Sequence, residues 1–170
     1  MNFPWLHKKP DPLLERAENL INAANILGIG SYTDFSADLP IVNKIDTEHW
    51  DWVFTIAGVF VADSRLNTDD LEGSRKQQIH DLIMQKLASW KPDGLGGLHD
   101  CKIFFERTYD SLAKINEYKS DPQFLSSDCL GAWMAWNLLG HAPESDDERK
   151  LSRMAGAFVT RSFRDWWKIT

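Results

Sequence analysis

A chain of 170 residues, 43% apolar and 26% charged, is long enough for a real packed core and lies outside the disordered, collagenous and membrane extremes of composition. Its formal charge of −6 and pI near 5.3 argue against sequence-independent binding of nucleic acid, which rests on many Lys and Arg neutralising phosphates. The two cysteines, Cys101 and Cys129, fall in apolar helical patterns and read as small buried thiols of a cytoplasmic protein, not as a disulfide framework.

Residues 1–10 form an N-terminal arm with basic residues but no continuous apolar stretch behind them, which argues against a secretory signal. The first helical pattern begins at Asp11, a cap, and Pro12, a residue suited to the first helical position. Leu13, Ala17, Leu20, Ile21, Ala24 and Leu27 recur at helical spacing, and Gly28 predicts the stop. The segment 29–45, "IGSYTDFSADLPIVNKI", has no clear period; it reads as a long loop or as a short element hidden in one.

Asp46 or Thr47 caps "EHWDWVFTIAGVFVADSRL", apolar on most sides, as a central helix is. The valines of 50–62 would also suit a buried strand; length favours the helix. A third helix is expected after a cap at Asn67 or Thr68, with Ile79, Leu82, Ile83, Leu87 and Trp90 on one stripe that stops before Pro92. The run "KPDGLGGLHDC" lacks a preceding strand and any phosphate-loop spacing, so it reads as a corner between helices, with Cys101 packed.

Leu98, Cys101, Phe105, Tyr109, Leu112 and Ile115 then form a further stripe. Asp121 and Pro122 open another, carrying Leu125, Cys129, Ala132, Trp133, Trp136 and Leu139, with Gly140 as its stop. Ser145 and Glu148 form a capping box for the last helix, whose core face carries Leu151, Met154, Ala155, Phe158, Val159, Ser162 and Trp166. The expectation is one all-α domain over 1–170, a bundle or irregular array of about six helices. Trp90, Trp133, Trp136 and Trp166 are assigned to the core, and Trp5, Trp50 and Trp167 to a partner surface or to edge packing.

Two constellations could carry chemistry. His99, Glu106 and Asp110 share one helical face at i, i+7 and i+11. With His80, and with His49, Asp63 or Asp128 from other helices, they could form the metal site of a hydrolase. No H-E-x-x-H, paired E-x-x-H or Cys-x-x-Cys accompanies them, and residues flanking an apolar stripe commonly mark the boundary between core and water. No cofactor or metal is therefore assigned, and the metal-dependent hydrolase stands as the alternative.

The sharper feature is a stripe of Lys150, Arg153, Arg161, Arg164 and Lys168, about 27 Å long at the helical rise, away from the core face. Residues 144–170 carry six basic and five acidic side chains, whereas the rest of the chain carries 13 and 20. The plain reading is a solvated face whose cations pair with neighbouring acids or complement a helix C-terminus. The functional reading is a docking face, with Trp167 at its end, for an anionic protein surface or, second, a locally held nucleic acid. The acidic runs "NTDDLEGS" and "PESDDER" each begin a helix, where dipole complementarity accounts for them. The preferred function is a non-catalytic cytoplasmic binding protein of adaptor, inhibitor or immunity type, with no membrane partner.

Overall fold

The computed structural model describes residues 11–66, 71–90 and 126–168. Every α-helix and turn of 3-10 helix among them fits the expected all-α fold: α1 (Pro12–Asp38), a short 3-10 helix (Pro40–Lys44), α2 (Thr47–Arg65), α3 (Gly73–Ser89), α4 (Ser126–Leu139) and α5 (Asp146–Phe163). The five α-helices compare with about six expected for the whole chain. The N-terminal arm with Trp5, the glycine corner, the stripe from Leu98 to Ile115 and the start at Asp121 and Pro122 lie outside the described residues. The third helix is not capped at Asn67 or Thr68: α3 begins at Gly73, with Glu72 at its N-cap making no side-chain cap hydrogen bond.

The segment 50–62 is helix, and α2 is central. The Asp46 carboxylate accepts from the backbone N–H of His49 at 3.0 Å, which starts the helix. Trp50 and every residue from Trp52 to Asp63 are buried. Each such Val, Ile or Phe contributes about 1.5–3 kcal/mol of transfer free energy, so this one segment supplies a large part of the core. The buried cluster takes in Leu20 and Ile21 of α1, Ile79 and Ile83 of α3, Leu130 and Met134 of α4, and Leu151 and Val159 of α5.

The expected loop over 29–45 is not one. Helix α1 runs through Gly28 to Asp38: Gly28 and Ser31, too small or too polar to register as an apolar period, carry its buried face on to Phe35. A Cβ on Gly28 would stand 3.2 Å from the Asp51 Cα, so glycine here permits α2 to approach closely rather than stopping α1.

Helix α1 crosses α2 antiparallel. Asn25 Nδ2 donates to Thr55 Oγ1 at 3.3 Å, and the Phe35 ring packs edge-on against Trp50 and Phe54, with centroids 5.3 and 5.7 Å away. Trp50 is wholly buried, not part of a partner surface. Its Nε1–H donates to the Gly28 carbonyl at 3.2 Å and to Ser31 Oγ at 3.1 Å.

Helix α5 runs alongside α2 in the same direction, so Phe158 meets Phe54, Phe163 meets Gly58, and Trp167 reaches Ala62. Helices α4 and α5 form an antiparallel hairpin, whose turn begins at Gly140 with φ of +78°, a conformation that strains any residue with a Cβ. The apolar face of α4 is not the one expected. Leu130, Gly131, Met134, Ala135 and Leu138 are buried, whereas Ala132 is exposed and Trp136 stands 56% exposed. A helix apolar on nearly all sides gives no unique period; Gly131 settles its rotation by meeting the α5 backbone at Ser152 and Gly156.

Candidate anion-docking face

The site is built from the start of α5. Ser145 Oγ accepts from the Glu148 N–H at 3.2 Å and Glu148 Oε2 accepts from the Ser145 N–H at 2.9 Å, completing the expected capping box. The two backbone N–H groups given to Glu148, from Ser145 and then Glu144, hold its carboxyl below the ordinary carboxylate range.

Rotation of α5 is fixed on two sides. Leu151, Ala155 and Val159 are wholly buried against the core, and Ser152 and Gly156 press on α4. The remaining arc carries Lys150, Arg153, Ala157 and Arg161, all exposed. No described residue forms an ion pair with Lys150, Arg153 or Arg161.

The C-terminal part of the stripe differs from its sequence expectation. Helix α5 ends at Phe163, and residues 164–167 form a tighter turn, with the Trp166 N–H donating to the Phe163 carbonyl at 3.1 Å. Arg164 and Lys168 are exposed, but both reach the Asp165 carboxylate, at 3.2 and 2.7 Å. Lys168, then Arg164, holds the Asp165 carboxyl below its usual range. Trp167 is not on the docking face: it is 4% exposed, and its Nε1–H donates to the Ala62 carbonyl at 2.7 Å. The tightened turn swings this indole back onto α2. Its neighbour Trp166 accepts a hydrogen bond from the Arg16 guanidinium at its carbonyl, and that guanidinium lies 6.0 Å from the indole centroid.

The alternative metal constellation is partly visible. His99, Glu106 and Asp110 lie outside the described residues. Among the described residues no three His, Cys, Asp or Glu side chains converge on a point that could hold a metal ion. The structure does bring His80 and Asp63 together: Nδ1 of the half-exposed imidazole lies 3.0 and 3.1 Å from the two oxygens of a carboxylate only 3% exposed. His49 does not join them. It sits at the opposite end of α2, its Nε2–H donating to the Asn137 carbonyl at 2.7 Å and its ring stacked near Trp52. Asp128 is half-buried on α4.

Two features were not read from the sequence. One is exposed Trp136, masked by the ambiguous period of α4. The other is a cleft of about 250 Å³ between α1 and α3, walled by Ile21, Asn25, Lys86 and Trp90. It is smaller than the roughly 300–1,000 Å³ of typical small-molecule pockets, so the α5 face remains the stronger candidate.

No protein-family model, curated protein or solved structure matches this chain.

Proposed function

We propose that the chain is a non-catalytic cytoplasmic binding protein that docks an anionic protein partner on the outer face of α5. The reading rests on Lys150, Arg153 and Arg161 standing exposed, without an acid partner among the described residues, on a chain of net charge −6. A local positive patch on a negative body orients an approaching acidic surface and speeds encounter; surface ion pairs with the chain's own acids would add little stability. The buried, unbridged thiol of Cys129 suits a reducing compartment. No helix among the described residues is long and apolar enough to cross a membrane.

The test is fluorescence anisotropy with labelled poly-glutamate, comparing the wild type with an R153E/R161E variant. Binding should weaken steeply between low and physiological salt and vanish in the variant. Equal binding by both proteins, or none by either, rejects the reading.

A further inference from the structure

From the charge pattern along α5 we infer the chemistry of the partner: a protein segment presenting two acidic spots about 12 Å apart with an apolar residue between them, not a nucleic acid or a lipid surface. The inference rests on the docking reading above.

Arg153 and Arg161 are eight residues apart, which at 1.5 Å per residue places their Cα atoms about 12 Å apart along the axis. Lys150 reinforces the first spot. Exposed Ala157 lies midway and offers no charge and little bulk, so a partner side chain can approach the helix there. Beyond this zone acids interrupt the positive surface at both ends. Asp146 and Asp147 precede it, Asp146 already paired with Arg149 at 3.0 Å, and Asp165 pairs with both Arg164 and Lys168 beyond it, leaving one net positive charge there instead of two.

A duplex carries about one charge per 1.7 Å of its axis and continues past any short site. It would therefore set phosphates against Asp146, Asp147 and a body of net charge −6. An anionic membrane gains its hold from buried apolar area as well as charge. Of the apolar residues of α5, Leu151, Ala155, Val159 and Phe163 are buried in the core, Met154 and Phe158 are partly buried against it, and exposed Ala157 offers only a methyl group. A discrete acidic helix or strand meets neither objection. Acids eight residues apart on a helix, with an apolar residue midway and a lysine before them to face Asp146 and Asp147, match the face by complementary charge.

The experiment uses the full chain and three labelled probes: a helical peptide with glutamates eight residues apart, leucine midway and an end lysine; a scrambled peptide of identical composition; and a 20-base-pair DNA duplex. The matched peptide should bind roughly ten-fold or more tightly than the scrambled one, and R153E/R161E should abolish its binding. A matched peptide with lysines replacing the glutamates should then bind the variant. Circular dichroism of the variant establishes that it is folded, and both positions are exposed. If matched and scrambled peptides bind equally and both are lost in the variant, the spacing inference fails while the docking reading stands. Tighter binding of the duplex than of the matched peptide overturns the protein partner. Absence of binding to all three, or equal binding by wild type and variant, removes the inference and the docking reading together.

Discussion

Gly131 of α4 and Gly156 of α5 meet backbone to backbone. A Cβ on Gly156 would stand 2.7 Å from the Gly131 nitrogen and 2.0 Å from the Ser127 carbonyl oxygen; a Cβ on Gly131 would stand 2.0 Å from the Ser152 carbonyl oxygen. Small residues recur every fourth position on both helices, as Ser127, Gly131 and Ala135 on one and Ser152 and Gly156 on the other. This line of contact sets the rotation of α5 and hence the direction of its cations. Alanine at either glycine gains helix propensity but forces two backbones apart, which no side-chain rotation relieves. G131A and G156A should each destabilise by about 2 kcal/mol net, read as a lower urea midpoint. A neutral or stabilising result at both positions would show that the helices do not approach this closely.

Gly30 is the opposite case. It sits within α1, exposed, with helical backbone and nothing within 4 Å of where a Cβ would be. Here the flexibility of glycine in the unfolded chain is unopposed by any packing need. G30A should stabilise by about 0.5–1 kcal/mol, a rise in the midpoint of thermal unfolding.

These glycines also explain what the sequence could and could not reveal. Ser145 with Glu148, and Asp46 before α2, act through chemistry confined to one turn, so both caps were legible. Gly28 and Gly131 owe their presence to a neighbouring helix far along the chain, and a local pattern reads the first as a stop and passes over the second. Trp50 and Trp167 appeared free because neither fell on an apolar period; each is buried where its indole N–H finds a carbonyl on another helix, a partner fixed only by the fold. The positions of the basic stripe were legible as far as Arg161, where the helix continues. Beyond Phe163 the turn tightens, and helical spacing no longer places Arg164 and Lys168. That Asp165 pairs with both depends on the geometry of this turn.

Asp63 and His80 join α2 to α3 through a carboxylate that is almost wholly buried. Replacing His80 with alanine removes the Nδ1–H facing both carboxylate oxygens, and a buried charge deprived of a hydrogen-bond donor is costly. H80A should lose about 1–3 kcal/mol. The double variant D63A/H80A should lose less than the sum of the two single changes, because the second removal no longer breaks the pair. Strict additivity in the double-mutant cycle would show that the two groups do not interact.

Asp51 lies just past the first turn of α2 and Glu148 in the first turn of α5, yet their environments push them in opposite directions. Desolvation raises the Asp51 carboxyl above its ordinary value, and the neighbouring charges of Asp46 and Glu48 add to this. A raised folded-state value means that its contribution to stability is full below the ordinary value and is lost as pH rises through the raised one. D51N should therefore be more stable than the wild type at pH 7, with the advantage disappearing toward about pH 3–4. Glu148 is held low, so its contribution is present above the ordinary value and is lost as pH falls through the lowered one. E148Q should be less stable than the wild type at pH 7 and converge with it in acid. Urea midpoints taken from neutral to acid pH on the three proteins would give two difference curves of opposite sign that close together at low pH. Curves of the same sign would mean that burial at Asp51, or the N–H contacts at Glu148, do not govern the proton affinities of these groups.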